Sequence, residues 1–281
     1  MRPLVISSKN TNELVMNWND TSESAEEIRS APALKAADLN ASYGGQQVLF
    51  DVNVEFSKNK ITAVMGPSGC GKSTLISALN RTLELVPGAQ VVSGQVYLGG
   101  QGIYGCDISP EKVRKKIGII YQRPLTFPMS VVENVLFGAQ YHKNFQNRLK
   151  RDYAIHYLEI VGLQEELANR LDDPASKLSG GQQQRLCLAR TLANQPEIIL
   201  MDEPCSALDP IAMRRIEELM QKLAAEYTII VVTHNTAQAR RVSEDAIFMS
   251  QGQIIEYQST QGIFDNPRST QTRDFLEGLV G

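Results

Sequence analysis

Apolar residues along the chain gather into short, nearly continuous runs: Ile61 to Val64, Ile117 to Tyr121, Ile198 to Met201 and Thr228 to Thr233. Such runs predict strands buried on both faces. Elsewhere the pattern alternates. From Leu34 the chain is strand-like, and Val52, Val54 and Phe56 take turns with polar residues, which predicts a half-exposed antiparallel strand. Val91 to Tyr104 is rich in glycine and β-branched residues and reads as a hairpin, as does Ala246 to Tyr257 near the end. Helical spacing appears in Leu75 to Leu85, in Arg148 to Val161 with Leu149, Tyr153, Tyr157, Leu158 and Val161 on one face, after Gln182 with Leu186, Leu188, Ala189 and Leu192, and in the tail through Ile263 and Phe264 to Leu279. Between Pro124 and Pro128 regular helix is forbidden, so Phe127 and Met129 are expected as exposed apolar tips of a loop that precedes a small helical insert.

The first 33 residues break this order. They are polar, with Glu13, Asp20, Glu23, Glu26 and Glu27 and little periodicity, and are expected to be a flexible extension in which the lone Trp18 is incidental. Residues 34–281 are then one domain, with 123–190 or so as its helical part. With 281 residues and 42% hydrophobic content the chain can bury a real core. Its net charge of −3 argues against nucleic acid as a partner. Cys70, Cys106, Cys187 and Cys205 form no C-x-x-C pair, which points to a reducing compartment rather than to disulfides or zinc. No apolar run is long enough to span a bilayer, and Met1 to Asn10 lack the core of a signal peptide, so work at a membrane would require other chains to hold this one there.

The candidate chemistry sits where apolar runs end. Gly66-Pro-Ser-Gly-Cys-Gly-Lys-Ser-Thr74 fits G-x-x-x-x-G-K-[ST] between a strand and a helix. Gly66, Gly69 and Gly71 let Pro67, Ser68 and Cys70 follow a tight turn whose N–H groups point at phosphate oxygens, and the positive helix end adds to that field. Lys72 supplies a charge for β- and γ-phosphates, the Ser73 hydroxyl can ligate Mg²⁺, and Thr74 helps hold the α-phosphate. Cys70 is a small spacer in one reading and a thiol acidified by the helix start in the other. Upstream, Tyr43 is placed to offer its ring to a base.

Gln122 follows the second run and can reach a metal or water through its amide oxygen. Asp202 and Glu203 follow the third. A carboxylate pair at the end of a buried strand is costly unless it meets a cation or a reacting group, so Asp202 is expected to hold Mg²⁺ and Glu203 to polarise water as a general base. His234 follows the fourth run and can hydrogen-bond a γ-phosphate or orient water and carboxylate. His142 and His156, in the insert, carry no such expectation. Ser179, Gly180, Gly181 and Gln182 open a helix and make a second anion-binding helix start that has no lysine.

Taken in order, Tyr43, Gly66 to Ser73, Gln122, Leu178 to Gln182, Ile198 to Glu203, Ser206 to Asp209 and His234 resemble the A-loop, Walker A, Q-loop, signature, Walker B, D-loop and H-loop of the ATP-binding subunits of ABC transporters, from about Leu34 to the end of the chain. Closer still, Leu85-Val-Pro-Gly-Ala89, Phe127-Pro-Met-Ser130 and Asp202-Glu-Pro-Cys-Ser-Ala-Leu-Asp-Pro210 are similar to the bacterial phosphate-import branch of that family. Small departures are Thr236 for a common Met, Tyr121 for Phe, the Arg123 to Thr126 start of the proline loop, and the long N-terminal extension.

The resemblance implies an α/β fold: a P-loop NTPase core with a mainly parallel sheet, an antiparallel β subdomain and a helical insert. It implies ATP and Mg²⁺, with Lys72, Glu203 and His234 in catalysis, and a head-to-tail homodimer in which the Ser179 helix of one chain caps the γ-phosphate held at Lys72 of the other. It further implies two integral membrane permease subunits, a periplasmic or extracellular phosphate-binding protein, and a peripheral place on the cytoplasmic face of the bacterial inner membrane. An importer of another solute, such as a polar amino acid, or a soluble ATP-driven switch would share the nucleotide motifs.

Overall fold

The computed structural model describes residues 32–105, 108–142 and 147–279; the extension with Trp18, and Cys106, lie outside the described residues. Two sheets organise the domain. The antiparallel one runs β2-β1-β4-β5, from β1 (Leu34–Tyr43), β2 (Gln46–Phe56), β4 (Ala89–Leu98) and β5 (Gln101–Gly102). The other runs β10-β9-β3-β8-β7-β6, from β3 (Ile61–Met65), β6 (Ile117–Ile120), β7 (Ile198–Asp202), β8 (Thr228–Val232), β9 (Asp245–Ser250) and β10 (Gln253–Ser259), and is parallel except for β10.

The continuous apolar runs follow from burial on both faces. Along β7, Ile199 and Met201 join a core with Ile61, Met65, Ile229 and Val231, whereas Ile198 and Leu200 join a second core with Val64, Ile230 and Val232. The first core is covered by α3 (Val131–His142), α4 (Asn147–Ile160), α5 (Gly180–Leu192), α6 (Pro210–Leu223) and α7 (Thr236–Val242). The second is closed by α1 (Lys72–Leu79), α2 (Pro110–Lys116) and the inner face of the antiparallel sheet, including Leu34, Leu39, Val52 and Phe56. Two short helices, α8 (Thr260–Asp265) and α9 (Thr270–Leu276), finish the chain; Phe275 of α9 stacks on Phe248 of β9.

Several expectations need correction. α1 stops at Leu79, because Arg81 turns left-handed (φ 61°) and spends its guanidinium on the Ile103 and Ile108 carbonyls; a 3₁₀ turn at Leu83–Leu85 follows. Helix α3 was hidden by the prolines before it, although Ser130 and Glu133 form a reciprocal cap at its start. Phe127 and Met129 are half-buried rather than exposed. The Phe127 ring lies 4.2 Å from that of Phe137 and 4.5 Å from the Arg190 guanidinium, and Asn134 donates to the carbonyls of Phe127, Met129 and Ser130. The large apolar side chain exposed in this loop is that of Leu125, at 61%. Leu149, expected on the packed face of α4, is also exposed.

Candidate active site

Residues from the carboxyl ends of three adjacent parallel strands, β3, β8 and β7, meet in one place, the usual location for a ligand in an open α/β sheet. After β3 the chain turns through Gly66, Gly69 and Gly71, at φ 153°, 78° and 105°. At Gly66 a Cβ would stand 2.1 Å from the Met249 carbonyl oxygen, so only glycine fits. The turn feeds into α1, whose N-terminus has no side-chain cap, whereas α2, α5, α6, α7 and α8 are each closed by one. The first N–H groups of a helix have no partner within it, so this uncapped start is open to an acceptor from outside.

Lys72 is buried, and its Nζ donates to the carbonyl oxygens of Gly66 (2.7 Å) and Pro67 (2.8 Å). Its charge is thus held by the loop carbonyls, and among the described residues no carboxylate forms an ion pair with it. Cys70 is buried, with its sulfur 3.8 Å from the same ammonium; burial pushes the thiol up further than Lys72 pulls it down, which overturns acidification and leaves the spacer reading. Thr74 Oγ1 lies 3.4 Å from the Tyr43 hydroxyl, which brings the end of β1 to the loop.

Ser73 donates its hydroxyl to Asp202 Oδ1 at 3.2 Å. Burial pushes the Asp202 carboxyl up, the charge of neighbouring Glu203 adds to this, and Ser73 and Lys72 oppose it. A half-buried carboxylate beside a hydroxyl is a hard oxygen pair that fits Mg²⁺, and the open helix start with its lysine fits the phosphates the ion would accompany. Gln122 donates its amide nitrogen to Ser206 at 3.2 Å, which leaves the amide oxygen for another partner. Glu203 is left-handed at φ 46° and fastened by its N–H to the Val232 carbonyl; its carboxylate lies 2.7 Å from His234 Nδ1. The His234 segment is itself locked, since Thr233 donates to the buried Gln238 amide while accepting from the Asn235 N–H.

Ser179, Gly180, Gly181 and Gln182 lie elsewhere. Ser179 caps α5 in a reciprocal box: its hydroxyl accepts from the Gln182 N–H, and the Gln182 amide oxygen accepts from the Ser179 N–H. Ser179, Gly181 and Gln182 line a separate cavity of about 230 Å³ with Glu166, Asp209 and Arg215. Among the described residues no hydrogen bond joins this helix start to the Lys72 loop, so within one chain the two helix starts are not linked. Motif reading named Ser206 within Ser206 to Asp209 but not as the anchor of Gln122, and it passed over Thr233 and Gln238 behind His234 and Glu166, which binds Arg185, Arg215 and Gln182. Only the position of Ser206 within the Asp202 to Pro210 run could have flagged one of these roles.

Comparison with known proteins accords with this geometry. Residues 49–206 match the family described as ABC transporter. The chain is 46% identical over 243 residues to the phosphate import ATP-binding protein PstB of Desulfitobacterium hafniense (strain Y51), covering 86% of this chain and 93% of that protein. It is 43% identical over 277 residues to the protein of the same name from Malacoplasma penetrans (strain HF-2), covering 98% and 94%. That second similarity reaches into the first 33 residues, so the extension is not private to this chain. A solved structure, described as a dimeric post-hydrolysis state of the ATP-binding cassette MJ0796 bound to ADP and Pi, superposes with a TM-score of 0.70 at 29% identity, covering 82% of this chain and 99% of the other.

Proposed function

Because the chain belongs to the ABC transporter family, we propose that it is the ATP-hydrolysing subunit of an importer that carries inorganic phosphate through membrane permease subunits. The observation that carries the reading is the convergence of Lys72, Ser73, Asp202, Glu203 and His234 at neighbouring strand ends, on a chain 46% identical to a phosphate import ATP-binding protein.

In this reading the loop from Gly66 to Thr74 receives the phosphates of ATP on its N–H groups, and Lys72 adds a positive charge from the floor of the loop. Tyr43, tethered near Thr74, offers its ring to the base. Ser73 and Asp202, with Gln122, would hold Mg²⁺, which when bound neutralises charge on the phosphates. Glu203 takes a proton from the attacking water. The His234 Nδ1–H holds one oxygen of that carboxylate and so leaves the other to face the water. Ser179 completes the site from a second copy of the chain, because its hydroxyl accepts within the cap and keeps its own hydrogen to donate to the γ-phosphate of the partner. Closure of the pair on ATP and its opening after hydrolysis would move the loop that exposes Leu125 and, through it, the permeases on the cytoplasmic face of the membrane. A phosphate-binding protein outside that membrane would deliver the cargo.

Uptake of labelled phosphate tests the assignment. Cells lacking the protein should lose high-affinity uptake and regain it with the wild-type chain but not with Lys72→Ala. Loss of another solute's uptake in place of phosphate would reassign the cargo and leave the ATPase standing.

A further inference from the structure

Glu166 lies in the helical insert between α4 and α5, and its carboxylate is shared by three side chains on two helices. Arg185, inside α5 and only 7% exposed in its side chain, donates to both oxygens at 3.0 and 2.8 Å. Arg215 on α6 donates to Oε1 at 2.7 Å. Gln182, at the first turn of α5, donates its amide nitrogen to Oε2 at 3.2 Å. The Arg215 pair is exposed and worth little by itself, and Arg185 has a second acceptor in the Gly162 carbonyl. The contact with Gln182 has a different consequence.

A glutamine amide can face either way, and only its neighbours decide. In this cap the Gln182 oxygen must point at the Ser179 N–H, because the flipped amide would set N–H against N–H. An acceptor on the nitrogen side fixes that choice, and Glu166 is the acceptor. We propose that Glu166 is a positioning residue for hydrolysis in the paired enzyme: through the Gln182 amide it holds the Ser179 N–H, and so the backbone orientation that presents the Ser179 hydroxyl to the partner's γ-phosphate. Its link to Arg215 ties that orientation to the helix that follows the D-loop. This rests on the reading above that two chains enclose ATP between them.

The test uses the full chain. Pairing is read in a Glu203→Gln background, where slow hydrolysis lets the closed pair accumulate, by light scattering against Mg-ATP concentration; kcat is read with Glu203 intact, and binding to the single subunit with a fluorescent ATP analogue. Glu166→Ala should raise the ATP needed for pairing and lower kcat, each on the order of tenfold, while the single subunit binds nucleotide within about twofold of normal. Glu166→Gln, which keeps size and loses charge, should move both readouts the same way by less. Asp172→Asn, which breaks the Arg151 pair on the same insert, should change neither. Adding Glu166→Ala to Gln182→Ala should cost nothing further, since Glu166 acts through Gln182. Unaltered pairing and kcat in Glu166→Ala and Glu166→Gln, or full additivity with Gln182→Ala, would overturn the proposal. Failure of Glu203→Gln itself to pair with Glu166 intact would overturn the shared-site reading and this inference with it.

Discussion

His234 meets Glu203 at 2.7 Å from Nδ1 to Oε2, and the carboxylate it meets belongs to a residue held at φ 46°. A left-handed backbone costs a residue with a Cβ about 1 kcal/mol or more. Here the Glu203 N–H bond to Val232 and the turn bond from the Ser206 N–H to the Glu203 carbonyl impose it. The strain aims the side chain away from the run of β7 and toward His234, two residues beyond the end of β8.

Glu203→Gln keeps shape and removes the base. It should slow steady-state hydrolysis by about 10²- to 10⁴-fold with ATP affinity unchanged. Parallel ATPase and nucleotide-binding measurements check this, and an undiminished rate would remove Glu203 from the chemistry.

The strained backbone makes a separate prediction about stability. Glu203→Gly should be more stable than Glu203→Ala by about 1 kcal/mol, the reverse of the order found inside helices, although both are inactive. Urea unfolding of the two variants decides it. An alanine variant as stable as the glycine one would mean that the turn relaxes when the carboxylate is gone.

Asp202 makes a prediction with pH. Its carboxyl is pushed up by burial, so its contribution to stability is full below the ordinary carboxylate range and is lost as pH rises through the raised value. At neutral pH the nucleotide-free chain carries this half-buried charge at a cost. Asp202→Asn should therefore melt about 1–2 °C higher than wild type without nucleotide at neutral pH and show no advantage near pH 3. Mg-ATP should stabilise wild type and not the variant. If the variant melts lower at neutral pH, the carboxylate is repaid inside the chain and its readiness for a cation is not the reason for its place.

Much of this arrangement was legible in the sequence because its signals are local. Burial on both faces writes an uninterrupted apolar run such as Ile198 to Met201, and a polar residue straight after that run can only emerge at the strand's end. Gly66, Gly71, Lys72 and Ser73 are likewise neighbours in the chain. Contacts that join distant segments left no such trace. Phe127 appeared exposed because Phe137 and Arg190, which cover it, belong to two different helices. Glu166 meets partners 19 and 49 residues away, and no spacing rule reaches that far. Helix α3 is the intermediate case: Ser130-x-x-Glu133 announced it, and the prolines just before drew the reading toward a loop.

The burial of Phe127 also decides which residue can probe coupling to the membrane. Phe127→Asp would place a carboxylate against Phe137 and remove the ring from Arg190, costing about 2 kcal/mol in stability, so lost transport in that variant would say nothing about docking. Leu125 is the cleaner choice. Its side chain is exposed, while its carbonyl accepts from Arg190 Nη2 at 2.7 Å, a backbone contact that substitution leaves in place. Leu125→Asp should keep the ATPase activity and melting temperature of wild type and reduce phosphate uptake at least about tenfold, as a charge buried without a partner in an apolar interface would. Uptake and ATPase measured on the same membranes check it. Full uptake with Leu125→Asp would place the permease contact elsewhere on the insert, with exposed Tyr141 and Leu149 next to be replaced.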